Sequence, residues 1–192
     1  MKRNATKTAS ANLSLRDVLL TSRPFWWITT AAPFVVGYLT AGPAWEWPLV
    51  IGAIYFLLFY NLLMYGVNDI FDYESDIRNP RKSGIEGAVL AKSKHPMLFA
   101  VIVLSNLPFW LYFVWNGNLA SSEWLLVMIL MALVYSVPRF RFKEVPLLDS
   151  ITSAFHYTSP FLFGVFLAGG SNLWLPAWLA FFLWAMANHA LG

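Results

Sequence analysis

Apolar residues gather in six long runs, 24–41, 48–67, 96–115, 124–137, 146–168 and 173–191, separated by short polar stretches. A helix needs about 20 mostly apolar residues to cross the hydrocarbon core of a bilayer. The runs have that order of length, the fourth being the shortest. The pattern therefore predicts an all-α, polytopic transmembrane helical bundle of about six spans. Composition agrees, with 58% of residues hydrophobic, 18% aromatic and only 12% charged, and a mean hydropathy of +0.57. A soluble domain carries about 25% charged residues, so the expectation is an integral, multi-pass membrane protein.

The basic residues give the spans a direction. Lys2, Arg3, Lys7, Arg16 and Arg23 precede the first run, Arg78, Arg81, Lys82, Lys92 and Lys94 separate the second from the third, and Arg139, Arg141 and Lys143 separate the fourth from the fifth. These three groups hold all 13 Lys and Arg, and a six-span chain puts all of them on one side. The opposite loops hold Glu46 and Glu123 and no base. The positive-inside rule then places the N-terminus in the cytoplasm. The pI of about 9.2 follows from these juxtamembrane bases, which makes nucleic acid an unsuitable partner. Residues 1–23 are polar and basic, with no apolar core and cleavage site of a signal peptide, and are expected to be a disordered cytoplasmic tail. With no cysteine, thiol and disulfide chemistry are excluded.

Polarity breaks into the pattern most sharply at the end of the second run, Asn68-Asp69-Ile70-Phe71-Asp72-Tyr73-Glu74-Ser75-Asp76. Acids at a membrane are costly and mark functional sites by default. Continued as a helix at roughly 100° per residue, the segment places Asn61, Tyr65, Asn68, Asp69, Asp72 and Asp76 within an arc of about 100° and Glu74 nearly opposite. Oxygen-only donors suit a hard cation, and Mg²⁺ held by one or two carboxylates plus substrate phosphates is the usual arrangement. Asn68, Asp69, Asp72 and Asp76 are thus the candidate metal ligands and catalytic residues, and Glu74 belongs to the solvated surface.

The stretch 78–87 that follows is dense in base and glycine. Arg and Lys hold phosphate through charge-assisted hydrogen bonds, and glycine lets backbone amides approach an anion. Arg78, Arg81 and Lys82 are therefore candidate diphosphate contacts, with Lys92 and Lys94 evenly balanced against an ordinary basic loop. The second basic loop, from Tyr135 through Arg139, Arg141 and Lys143, is a candidate for the far side of the same diphosphate or for lipid headgroups. On the fifth run, Asp149, Ser153 and His156 form a polar stripe. Helix packing explains Ser153, while Asp149 and His156 stand evenly between packing and pocket. His95 and His189 carry no role.

These residues resemble the UbiA superfamily of intramembrane prenyltransferases. Asn68, Asp72 and Asp76 match its first aspartate-rich motif, and Tyr135 to Lys143 are similar to its Tyr-Ser-x-Pro segment with trailing bases. The run 68–90 and Thr158-Ser159-Pro160 are similar to lycopene elongases, which add five-carbon units to lycopene on the way to C50 carotenoids. The resemblance implies a nine-span helical fold whose two aspartate-rich motifs bind Mg²⁺ and an allylic diphosphate such as dimethylallyl diphosphate at the cytoplasmic mouth. The prenyl cation then meets a lipophilic acceptor, and Trp26, Trp27 and Tyr65 are the aromatic candidates to face it. The expected location is a bacterial or archaeal plasma membrane. The second motif would begin where the chain ends, so 24–192 is expected to be the N-terminal part of the domain, with the C-terminal third missing and the fragment alone inactive. Two alternatives remain: a relative that prenylates an aromatic acceptor in quinone or related lipid synthesis, and a transporter of cations or phosphate lipids. Transporters often show inverted repeats, and no internal repeat is evident here.

Overall fold

The computed structural model describes residues 12–43, 45–78 and 89–191, which are helical and contain no β-strand. Arg81, Lys82 and the glycines beside them lie outside the described residues. The helices are α1 (Leu15–Thr21), α2 (Trp27–Ala41), α3 (Trp47–Ile54), α4 (Tyr60–Phe71), α5 (Tyr73–Asp76), α6 (His95–Asn116), α7 (Leu119–Ser136), α8 (Pro146–Leu167) and α9 (Leu175–Leu191). Each predicted apolar run contains a helix. Trp47–Phe71, Lys92–Asn116 and Leu119–Ser136 are each long and apolar enough to cross a bilayer, and α9 is a shorter apolar helix. The fourth run is longer than its apolar residues indicated. Asn118 and Ser121 form a capping box that starts α7 at Leu119 and gives it 18 residues.

The rod formed by α3 and α4 is central. In its most apolar window 61% is buried inside the bundle, against 22% for α6 and 28% for α7. A π-helical turn at Tyr55–Phe59 joins its two halves. The irregular turn leaves the Phe56 carbonyl to be satisfied from outside the helix ladder. Thr30 Oγ1 and Asn61 Nδ2 each donate to it at 2.7 Å, and Asn61 Nδ2 also approaches Thr30 Oγ1 at 2.8 Å. Asn61, assigned by phase to the acid ladder, is thus a buried brace of the π turn. Aromatic rings fill the middle of the core: Phe34 stacks on Phe56 at 4.9 Å, and Phe113 meets Tyr55 at 5.3 Å and Phe163 at 5.1 Å. Such edge and offset contacts are the favoured aromatic geometries. They explain why so many of the rings face one another and not lipid.

α2 and α8 cross closely enough that a Cβ on Gly37 would lie 2.0 Å from the Phe161 carbonyl oxygen. A Cβ on Gly164 would meet the Phe34 carbonyl oxygen at 2.4 Å. Small residues let helix backbones approach in membranes, where no hydrophobic force drives helices together.

The segment read as a basic tail is folded from Asn12 onward. Ser14 and Asp17 cap α1 reciprocally, and Lys94 reaches Asp17 Oδ2 at 2.8 Å. Burial alone would push the Asp17 carboxyl up; the bonds from Lys94 and Ser14 outweigh it and hold it below the usual carboxylate range. α1 ends at a left-handed turn on Arg23, φ 52°. Trp27 Nε1 donates to the Ser22 carbonyl at 3.1 Å and pins that turn.

Candidate active site

Three elements meet at one end of α4. The acids come from α4 and α5, which are separated only by Asp72 with φ −97° and ψ 4°. The break does not lose the helical row. The Asp72 amide donates to the Asn68 carbonyl and the Asp76 amide to the Asp72 carbonyl, both at 2.9 Å. Asn68, Asp72 and Asp76 therefore remain stacked at i, i+4 and i+8 along one face.

The bases come from the turn between α7 and α8. Arg141 takes a left-handed conformation, φ 41°, and leads into a short 3₁₀ turn, Phe142–Glu144. This conformation aims both bases back at α4. Lys143 Nζ donates to Asn68 Oδ1 at 3.0 Å and pairs with Asp72 Oδ2, while Arg141 reaches Asp72 Oδ1 at 3.4 Å and Glu144 at 2.7 Å. Ser136 donates a further hydrogen bond to Asn68 Oδ1 at 3.1 Å. Burial pushes the Lys143 ammonium below its ordinary value, with Asp72 pulling in the opposite direction.

The third element is the turn after α1. Arg23 Nη2 pairs with Asp69 Oδ1 at 3.0 Å, and its guanidinium lies 4.2 Å from the centre of the Tyr65 ring. A positive φ is uncommon outside glycine, and strained backbone collects at ligand sites. Among the described residues, Arg23 and Arg141, which pair with these acids, each have one. Asp69 is thus tied to the turn after α1 through Arg23.

Next to this charged cluster lies a cavity of about 150 Å³ lined by Arg23, Met64, Tyr65, Asn68, Tyr135 and Ser153, and by His156, Tyr157 and His189. Tyr65 and Tyr157 share a hydrogen bond of 2.8 Å, and Lys143 Nζ lies 5.9 Å from the Tyr135 ring. Ser153 donates toward Tyr135 Oη and Asp149 Oδ1, each at 3.4 Å, and His189 Nε2 meets Asp149 Oδ2 at 3.0 Å. Larger apolar grooves exist, such as the one of about 380 Å³ lined by Ala32, Pro33, Val36, Phe161, Ala177 and Phe181. That groove has no charged or hydrogen-bonding side chain, in contrast to the smaller cavity beside the acids.

Among the predicted residues the fold brings together Asn68, Asp72, Arg141, Lys143 and Tyr135. Asp76 is 8% exposed, and its charge is felt by Lys143. Arg78 is exposed and near Glu74, outside the cavity lining. Trp26 and Trp27 do not line the cavity either, because Trp27 is spent on the α1–α2 turn and Trp26 faces outward. Arg23, Tyr157 and His189 are additions that sequence spacing did not identify. Their nearness depends on contacts between distant segments.

Hard oxygen donors and an ammonium already bridging two of them suit a small divalent cation. Among the described residues no three His, Asp or Glu side chains converge as a ready-made cage.

Glu74 is exposed and pairs with Lys92, which holds its carboxyl low. Exposed pairs of this kind have little energetic weight. Glu74→Gln is expected to leave turnover within about twofold of the parent, and a loss as deep as that from neutralising Asp72 would show that Glu74 belongs to the site.

The UbiA prenyltransferase family model matches residues 30–190. A lycopene elongase/hydratase from Corynebacterium glutamicum is 46% identical over 181 residues, covering 93% of this chain and 63% of that protein. A C50 β-cyclic carotenoid biosynthesis protein from Dietzia is 45% identical, over 93% of this chain and 42% of the relative. The lycopene elongase/hydratase from Halobacterium salinarum is 33% identical over 91% and 63% of the two chains. This chain therefore spans less than two thirds of the length of these relatives. Among solved structures, a UbiA homologue from Archaeoglobus fulgidus bound to DMAPP and Mg²⁺ superposes with a TM-score of 0.71 at 20% identity, over 88% of this chain and 60% of that one. The same helical fold, the acid row along α4 and α5 and the family match over most of its length make this chain a member of the UbiA prenyltransferase family.

Proposed function

We propose that this protein transfers a dimethylallyl group from its diphosphate to lycopene within the membrane, on the way to C50 carotenoids. The supporting observation at the site is the juxtaposition of a row of acids, two bases folded onto it, and a cavity walled by tyrosines. The acceptor is inferred from the named relatives, all of which act in carotenoid chemistry. With its bases gathered on one side, the site is assigned to the cytoplasmic face.

Asn68, Asp72 and Asp76 would hold Mg²⁺, which when bound neutralises charge on the departing diphosphate. Arg141 and Lys143 stand at the same acids and are placed to take the phosphate oxygens, with Arg81 and Lys82 assigned as further contacts. Such pre-positioned charge favours the state in which the C–O bond has broken and its electron pair has gone to the diphosphate. The ring faces of Tyr65, Tyr135 and Tyr157 favour the allylic cation. A terminal double bond of lycopene then attacks it. The new tertiary cation loses a proton or captures water.

Membranes containing the full-length protein and lycopene, supplied with labelled dimethylallyl diphosphate and Mg²⁺, are expected to yield labelled C45 and C50 products. Label entering only a hydroxyaryl acid offered alongside would overturn the carotenoid reading in favour of an aromatic acceptor. Labelled metal accumulating in vesicles with no prenylated product would favour transport.

A further inference from the structure

Forming the new carbon–carbon bond leaves a cation that must be discharged, and the acids and bases at the mouth are engaged with one another or with the departing diphosphate. The cavity beneath it contains one group suited to the task. His156 sits midway along α8 and is 2% exposed. Its ring stands perpendicular to that of Tyr135, 5.4 Å between centres. Nδ1 lies 3.5 Å from Tyr60 Oη, and Nε2 has no hydrogen-bond partner among the described residues. A buried polar atom without a partner is uncommon and calls for an explanation.

The other polar groups lining the cavity are committed or unsuitable. Arg23 is a cation bound to Asp69, and Asn68 Oδ1 is taken by Lys143 and Ser136. Tyr65 and Tyr157 bond to each other, His189 is bound to Asp149, and Ser153 and Tyr135 are hydroxyls engaged with each other. Nε2 of His156 combines basicity with deep burial and an uncommitted position. The tautomer suited to this carries the proton on Nδ1, donated to Tyr60 Oη. The cavity is also well below the roughly 300 Å³ at which ligand pockets begin. It therefore admits a short branched hydrocarbon end or a water, and not a whole polyene.

We propose that His156 is the catalytic base that ends the reaction, an inference that rests on the prenyl-transfer reading above. Nε2 takes a proton from the carbon beside the cationic centre, and the C–H electron pair becomes the new double bond. When a water occupies the cavity, its oxygen bonds to the cationic carbon and Nε2 takes one of its protons, giving a tertiary alcohol. In both cases the imidazolium releases its proton to the diphosphate or to solvent as products leave. One residue thereby serves both an elongation that ends in elimination and one that ends in hydration.

The test compares the parent enzyme with His156→Phe, which keeps the ring against Tyr135, and His156→Gln, which keeps a polar group toward Tyr60. Ionisation is read separately, as positional exchange of the bridging oxygen in ¹⁸O-labelled dimethylallyl diphosphate. Both variants are expected to keep exchanging while formation of elongated product falls by about 100-fold or more, with the ratio of alkene to alcohol altered in what remains. Unchanged rate and product ratio in both variants would overturn the role of His156 and leave the transfer reading standing. Loss of exchange in parallel with product in both would overturn it too, because a base acting after bond formation does not govern ionisation. A parent enzyme that gives neither exchange nor elongated product would instead refute the transfer reading itself.

Discussion

Asp72→Asn is expected to lower prenyl transfer by about two to three orders of magnitude, the cost of removing one electrostatic element aimed at developing charge. The reason is geometric as well as electrostatic. Asp72 holds both Arg141 and Lys143, so it sets where the two bases sit relative to the oxygens of Asn68 and Asp76. An amide at this position keeps the volume and the backbone bonds to Asn68 and Asp76. It also takes away a charge that a divalent cation and two bases all use. Lys143, largely buried, is then left with an amide oxygen as its main neighbour on Asn68 and with no adjacent carboxylate on residue 72. Turnover of labelled dimethylallyl diphosphate at saturating Mg²⁺ measures the loss, and the thermal unfolding midpoint checks that the helices remain assembled. Turnover near the parent's, with an unchanged Mg²⁺ requirement, would remove Asp72 from the site and with it the functional reading of the row.

How far such a site can be read from the sequence depends on whether its contacts are local. The row Asn68, Asp72, Asp76 was legible because backbone bonds four residues apart hold it in register, even across the irregular Asp72. Glu74 was legible for the same reason, with the opposite sign. Asn61 has the same helical phase but a different fate. Its partner is a carbonyl that the π turn releases at Phe56, and periodicity gives no warning of that turn. Asp69 and Arg23 are 46 residues apart and meet at 3.0 Å through a left-handed turn at Arg23. In the sequence Arg23 is only one more base before a span. His189 was set aside as a lone histidine near the end of α9, and it joins the stripe on α8 only because the helices pack side by side. The helices themselves followed from hydrophobicity. Their pairing did not, because α2 and α8 are brought together by what two positions lack.

Those two positions carry the largest expected effect on the fold. Gly37→Ala would set a methyl group 2.0 Å from the Phe161 carbonyl oxygen and 2.7 Å from its carbonyl carbon. These atoms are main chain, so no side-chain rotation relieves the clash and α2 and α8 must separate. Gly164 stands in the reciprocal position, its absent Cβ only 2.4 Å from the Phe34 carbonyl oxygen and 2.7 Å from the Tyr38 nitrogen. A single methyl at either place therefore opens the whole crossing. Overpacking costs typically 1–3 kcal/mol, and the rigidity of both partners puts this substitution at about 3 kcal/mol. Gly169→Ala is the natural comparison. It has nothing within 4 Å but a φ of +80°, so its cost is confined to backbone strain, about 1 kcal/mol. Unfolding of the two variants in the same detergent separates the mechanisms: Gly37→Ala should be the less stable by about 2 kcal/mol. It should also lose transfer activity, because α8 carries Ser153 and His156 into the cavity and moves with the crossing. Equal stability of the two variants would mean that α2 and α8 have room to spare and that the position of α8, and the cavity it walls, is set elsewhere.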